Sequence, residues 1–142
     1  EALTYIPRNN PAFDDLLQIH LKHLKALETV QRPSGMFSQV LNFPGSYEEL
    51  TATCMIGYSI ARGIRLGWLD RSFTTILQKC WKASLKRIED DGTIVDGCTG
   101  TGVQTTIREY LDRPAIHGFD DRSGSMAIWF ATEMERLSIS QR

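Results

Sequence analysis

Four residues carry polar side chains of the kind that grip a sugar or a carboxylate, and each precedes or opens an apolar run: Glu49, Thr101, Asp121 and Ser123. A carboxylate or hydroxyl at a helix N-terminus has two uses. It can accept hydrogen bonds from the free first-turn N–H groups, as a cap. It can also stand at the rim, where the positive end of the helix dipole favours anionic and polar ligands. His117, Asp120 and Asp121 could form an acid–base set of their own, although paired carboxylates at a helix start are more often a cap. The stretch Gly97-Cys-Thr-Gly-Thr-Gly102 invites a phosphate-cradle reading. It lacks the full GxGxxG spacing and a following Lys-Ser/Thr, so close backbone approach to a sugar suits it better.

The remaining reactive side chains read as structural. His20 and His23 fall on the apolar stripe of a helix and at its edge, where a hydrogen-bonded core histidine is the simpler account. The 3 cysteines, Cys54, Cys80 and Cys98, are odd in number and form no CxxC pair, so they read as small core hydrophobes rather than a disulfide or zinc framework. No metal or cofactor is called for. The chain has 142 residues, 42% of them hydrophobic and 23% charged, with a formal net charge of -1, so nothing in its composition asks for nucleic acid or an anionic membrane.

Helical elements must position these residues. The run from Ser46 to Asp70 is the organising one: from Leu50 to Ile60 it holds no charge, and its small polar members can pack between neighbours. Such a pattern predicts a buried helix, with Ser46 as N-cap and Glu49 at capping-box spacing. Arg62 and Arg65 argue against a membrane span. Before it, Glu1 to Ile6 reads as the tail of a helix stopped by Pro7. Ala12 to Thr29 has an amphipathic stripe (Phe13, Leu16, Leu17, Leu21, Leu24, Leu27), and Met36 to Leu41 alternates like a short strand. After it, Ser72 to Glu89 repeats the amphipathic pattern, Thr93 to Val95 is extended, and a short helix reaches about Leu111. Ser125 to Leu137 is again apolar nearly all round, and Trp68, Trp81 and Trp129 are expected in the core.

The order is amphipathic helix, extended hairpin and buried helix, twice over, then one more buried helix, an internal repeat in which Tyr47 to Glu49, Thr99 to Gly102 and Asp120 to Ser123 enter the buried helices. Gly35 and Gly92, 57 residues apart, mark the two amphipathic helix ends. Paired outer and inner helices are the unit of an α/α barrel, in which each unit buries its face against its neighbours. At that period six hairpins need roughly 340 residues. The fold class is therefore all-α, with helical-hairpin repeats forming part of an (α/α)6 barrel. Residues 1–142 are expected to be the C-terminal portion of one such domain, its remaining partner being the rest of its own barrel. The segments entering the buried helices should meet at one mouth.

The segments Arg32-Pro-Ser-Gly-Met-Phe-Ser-Gln-Val-Leu41, Gly45-Ser-Tyr-Glu-Glu, Ala61-Arg-Gly-Ile-Arg-Leu-Gly-Trp-Leu69, Cys98-Thr-Gly-Thr-Gly102, Arg113-Pro114 and Asp121-Arg-Ser-Gly124 occur in matching order and spacing. In these the chain resembles the C-terminal part of glycoside hydrolase families 88 and 105, the unsaturated glucuronyl and rhamnogalacturonyl hydrolases. The resemblance implies an (α/α)6 barrel and removal of the unsaturated 4-deoxy-uronic acid from the non-reducing end of lyase-generated oligosaccharides. An aspartic acid would protonate the vinyl ether at C4 while water adds at C5, unlike the two-carboxylate displacement of ordinary glycosidases. The resemblance also implies that the catalytic aspartates stand upstream of the point matching Glu1, so no residue here inherits that role. Substrate contacts are expected from Glu49, Thr101, Asp121 and Ser123. The family's glutamate-threonine-serine at the central helix is replaced by Glu49-Leu-Thr51. The competing readings are a non-enzymatic helical-repeat module for a protein partner and a self-contained enzyme built on His117, Asp120 and Asp121.

Overall fold

The computed structural model describes residues 1–140. Helix α1 (Ala2–Tyr5) ends before Pro7, and α2 (Ala12–Glu28) follows a turn. The Ala12 N–H donates to Asn10 Oδ1 at 2.9 Å, Asp14 and Asp15 occupy the first turn, and Lys25 the last. Each complements the helix dipole. Phe13, Leu24 and Leu27 form its buried stripe. Gly35 then takes φ +96°, and a Cβ there would lie 2.5 Å from the Lys79 carbonyl oxygen, so only glycine fits.

Strand β1 (Phe37–Ser38) pairs antiparallel with β2 (Glu48–Glu49), Phe37 opposite Glu49. The extended run predicted to reach Leu41 stops early because Val40 N–H turns to the Ser46 hydroxyl at 2.8 Å and Ser46 N–H closes a turn on the Phe43 carbonyl. Helix α3 (Leu50–Arg65) therefore starts later than predicted. Its N-cap is Glu49, not Ser46, with Thr51 and Ala52 N–H donating to the two carboxylate oxygens at 2.5 and 2.7 Å. The helix is buried along most of its circumference, with Leu50, Cys54 and Ile60 inaccessible, though Met55 is 54% exposed. It ends where Trp68 and Leu69 N–H both reach the Gly63 carbonyl.

A short 3-10 turn (Arg71–Phe73) capped by Asp70 leads into α4 (Thr74–Leu85). The predicted helix to Glu89 is cut short because Ile88 bridges to Ile94, Glu89 N–H donates to Thr93, and Val95 N–H donates to Arg87. Strand β3 (Ile94–Gly97) pairs antiparallel with β4 (Ile116–Gly118), a strand absent from the sequence reading. The register slips at Asp96, which sits in the left-handed region at φ +61° as a bulge residue. Between these strands α5 (Ile107–Leu111) carries a Thr106/Glu109 capping box and buries none of its residues, so it is a surface excursion rather than an inner helix. Helix α6 (Asp121–Ser140) closes the described chain.

The repeat is present, but its second inner helix is α6 and not the short helix after the glycine-rich loop, which buries nothing: α2, β1–β2 and α3 are followed by α4, β3–β4 and α6. Gly35 and Gly92, both at positive φ, keep the 57-residue period, whereas the inner helices start 71 residues apart, at Leu50 and Asp121. Most of the surplus of 14 is the excursion that carries α5: 18 residues separate β3 from β4, against 9 between β1 and β2. Helices α3 and α6 run parallel: near their starts Thr51 and Ser123 hydroxyls meet at 2.9 Å, and about three turns on Arg62 pairs with Glu133 at 3.2 Å. Parallel inner helices joined through antiparallel outer ones are the geometry of an α/α barrel wall. Gly57 permits the close packing between them, since a Cβ there would come within 2.3 Å of the Phe130 ring.

Two tryptophans follow the sequence reading in part. Trp81 and Trp68 are partly buried, stacked edge-on against Phe130 (5.3 Å between centroids) and Phe13 (6.4 Å). Trp129 does not: it is 50% exposed, with the Tyr58 ring beside it covering only part of its surface.

Candidate functional site at the inner-helix N-termini

The N-terminal ends of α3 and α6 lie side by side, with β2, the end of β3 and the Gly97–Gly102 loop around them. Each inner helix is capped by a carboxylate. Glu49 caps α3; Asp120 caps α6, its Oδ2 accepting from Ser123 N–H at 2.8 Å and from the Ser123 hydroxyl at 2.5 Å. The two carboxylates respond differently to their surroundings. Burial pushes the Glu49 carboxyl above its usual range despite the donors from Thr51 and Ala52, and the charge of Asp120 adds to that. Burial also pushes Asp120 up, but the Ser123 donors and Arg122 outweigh it and hold Asp120 below the usual carboxylate range.

The sequence-derived residues fall into two groups. Glu49 and Ser123 are buried, Ser123 completely, with their polar atoms committed to the caps and to the α3–α6 contact. Thr101 and Asp121 are exposed at the rim. Thr101 Oγ1 accepts from Gln39 Nε2 at 3.4 Å, tying the loop to the first hairpin. Asp121 is the first residue of α6, and its carbonyl accepts from the Ser125 hydroxyl at 2.6 Å. Leu50, the departure in the glutamate-leucine-threonine segment, faces the core with no accessible surface.

Sequence reasoning passed over several residues of this rim. Thr51 accepts the Cys98 N–H at 3.2 Å and contacts Ser123. Arg113 donates to the Gly100 carbonyl at 2.5 Å and to Thr99 Oγ1 at 3.4 Å; Arg122 donates to the Thr99 carbonyl at 3.2 Å. Arg87 bridges Asp96 at 2.7 Å and Glu48 at 3.1 Å, joining the two hairpins. Arg113 and Arg122 stand in segments that carry the family resemblance, and Thr51 in the one that departs from it, but only tertiary contact gives them, and Arg87, these partners. The Tyr47 hydroxyl and Arg113 Nε are shut from solvent without a hydrogen-bond partner among the described residues. Burial, reinforced by Glu49, keeps the Tyr47 phenol protonated well above its ordinary range, so it is available only as a donor or neutral acceptor.

His20 conforms to the structural reading: it is partly buried, within 3.3 Å of the Ser59 hydroxyl, and burial followed by the neighbouring His23 holds it below its ordinary value. Cys54 and Cys80 are buried thiols, raised by desolvation to about 11 and about 12, and so unreactive at neutral pH. Asp120 is engaged with Ser123 and Arg122, which leaves the His117, Asp120 and Asp121 set without a free central carboxylate. Among the described residues no helix is long and apolar enough to cross a membrane.

Parallel capped inner helices, amphipathic outer helices and a hairpin in each repeat define a segment of an α/α-barrel protein with a polar rim at one end. The chain belongs to Glycosyl Hydrolase Family 88, whose sequence model matches residues 1–138. It is 28% identical over 114 residues to the unsaturated rhamnogalacturonyl hydrolase YesR of Bacillus subtilis (strain 168), covering 80% of this chain and 31% of that protein. It superimposes on a possible member of the GH105 family from Salmonella enterica serovar Paratyphi A with TM-score 0.83 and 26% identity, over 90% of this chain and 33% of that one. A possible GH105 member from Klebsiella pneumoniae gives TM-score 0.84 at 24% identity, over 93% and 34% of the two chains, a likeness of fold. The chain thus spans about a third of the length of these relatives.

Proposed function

We propose that this chain is the C-terminal portion of a single (α/α)6-barrel hydrolase that removes the unsaturated 4-deoxy-uronic acid from the non-reducing end of lyase-generated oligosaccharides, of rhamnogalacturonan or a similar polymer. The observation that carries the proposal is the convergence of two carboxylate-capped inner-helix N-termini and a glycine-rich loop on one rim, in a chain that belongs to Family 88. The reaction is hydration: a proton goes to C4 of the vinyl ether, water adds at C5, and the hemiketal collapses to release the next sugar. On this reading, as the family resemblance implies, the proton donor is not among these residues and is expected from a segment before Glu1. In this chain Thr101 and Asp121, being exposed, supply substrate contacts, while Glu49 and Ser123 shape the cleft from behind.

Assaying the full-length protein tests the proposal directly, since hydration abolishes the ultraviolet absorbance of the conjugated C4–C5 double bond. Turnover of an unsaturated rhamnogalacturonan disaccharide is expected. Asp121→Asn should lower kcat/KM by the equivalent of about 1 to 3 kcal/mol with little change in Tm. Trp81→Ala should lower Tm through the void left against Phe130. Absence of turnover on any unsaturated uronide would refute the assignment. An Asp121→Asn enzyme with full kcat/KM would remove Asp121 from the cleft.

One observation favours a second reading. Ile128, Trp129 and Ile139 leave α6 with an exposed apolar strip. In a barrel that strip meets the remaining hairpins; in a non-enzymatic helical-repeat module it would meet a protein partner. The coding sequence upstream of Glu1 separates the two, because only the first requires aspartate-bearing helical hairpins there.

A further inference from the structure

The loop that carries Thr101 has no helix or strand of its own, yet it is held at several points. Cys98 N–H donates to Thr51 Oγ1 at 3.2 Å, Arg122 Nη1 donates to the Thr99 carbonyl at 3.2 Å, and Arg113 Nη2 to the Gly100 carbonyl at 2.5 Å. Two of these three anchors run back to one carboxylate. Arg122 pairs with Asp120 at 3.4 Å, and Thr51 reaches Asp120 through Ser123.

Proton counting fixes the direction of the second route. Ser123 Oγ lies 2.5 Å from Asp120 Oδ2, and an ionised carboxylate only accepts, so the single Ser123 hydroxyl proton points to Asp120. The 2.9 Å contact between Thr51 and Ser123 then forms only with Thr51 as donor. Thr51 in turn accepts the Cys98 N–H through its remaining lone pairs. The Glu49 carboxylate, which the Thr51 side chain also approaches, competes for the same proton. The strand end leading into the loop lies directly on this pair: a Cβ on Gly97 would come 2.7 Å from Ser123 Oγ.

We propose that Asp120 is a positioning residue: through the Ser123–Thr51 hydroxyl pair and through Arg122, its carboxylate sets where the Cys98–Gly102 loop lies on the rim and so how Thr101 meets a sugar. The inference rests on the reading of this rim as an oligosaccharide cleft. It assigns Thr51 and Asp120 a function through the loop, distinct from capping, which each helix could obtain from its cap alone.

The test uses the full-length protein and two independent readouts. Amide hydrogen exchange in a peptide covering residues 98–103 reports loop placement without any need for turnover. Removing one buried hydrogen bond is worth roughly tenfold in an opening equilibrium. Thr51→Val and Asp120→Asn should therefore speed exchange there by about tenfold, with Thr51→Ser close to wild type. On an unsaturated disaccharide the same two variants should raise KM several-fold with kcat near wild type, and Thr51→Ser should rescue KM. Ser123→Ala interrupts the same route and replaces Thr51→Val if that protein does not fold. Unchanged loop exchange in Thr51→Val or Ser123→Ala overturns the inference, as does a Thr51→Ser protein that exchanges as fast as Thr51→Val. A wild-type protein without turnover sinks the uronide reading instead, and the exchange measurement still decides whether Asp120 positions the loop.

Discussion

At the scale of single residues, the rim is governed by carboxylates whose two environments differ. Glu49 is buried against the hairpin it terminates and is raised chiefly by desolvation, so the folded chain retains its proton at a pH where the unfolded chain has released it. Its contribution to stability is fully present below the ordinary glutamate range and falls as pH rises from that range through the raised value. Asp120, held below its usual value, contributes in the opposite sense: its contribution is present above the ordinary aspartate range and is lost as pH falls through the depressed value. The expected outcome is that Tm of wild type relative to Glu49→Gln declines between the ordinary glutamate range and neutrality. A difference that rises over that interval would contradict the buried, desolvated placement of Glu49. Ser46, which satisfies the capping spacing on paper, instead accepts from Val40 N–H, and this frees the cap position for Glu49.

Among the elements, α3 and α6 are joined at both ends of their shared length by polar contacts and between them by close packing over Gly57. The lower junction is the more heavily charged. Glu133, 1% exposed, is paired with Arg62 and Arg65, and Arg136 stands at 3.9 Å. Removing a buried partner strands the charges left behind. Glu133→Ala should destabilise the protein by ~3 kcal/mol, at the low end for such a loss because Arg65 keeps some access to water. Glu133→Gln, which retains the shape and one acceptor, should cost less. Denaturant unfolding of the two variants checks this, and an alanine variant within about 0.5 kcal/mol of wild type would show that apolar packing alone holds the two helices together. The hairpins behave differently from the helices: β3 and β4 tolerate an intervening excursion of α5 and its loops because an antiparallel pair needs only its two strands to return to register.

For the whole molecule, the decisive feature is exposed apolar surface on its helices. Ile19 on α2, Met55 on α3 and Ile128, Trp129 and Ile139 on α6 are all at least half exposed. Scattered singly such residues are ordinary, but α3 and α6 pack against each other and leave Met55, Ile128, Trp129 and Ile139 open to association. The 142-residue chain expressed by itself should therefore self-associate and bind a hydrophobic dye. Sedimentation at several concentrations measures this, and a monodisperse monomer with a sharp melt would show that this surface is too small to drive association.

The sequence by itself determined the alternation of amphipathic and buried helices, the 57-residue period and the motifs shared with families 88 and 105, because these reside in local periodicity and in fixed spacing. It also placed Glu49, Asp121 and Ser123 near helix starts, since apolar runs reveal where helices begin to within a few residues. Thr101 instead lies in a loop six residues ahead of α5, a surface helix and not the buried one expected there. Which of those four face outward was decided only by the tertiary structure. Ser123 turns inward because its helix lies against Thr51 of α3, and Glu49 is drawn into the cap because Phe37 pairs opposite it. The same holds for β4, whose partner strand is separated from it by the α5 excursion, and for Asp96, whose left-handed bulge exists only because the ladder slips there. Trp129 makes the point in reverse: its helical stripe is apolar in sequence, but burial requires enclosing neighbours, and Tyr58 alone leaves it half exposed.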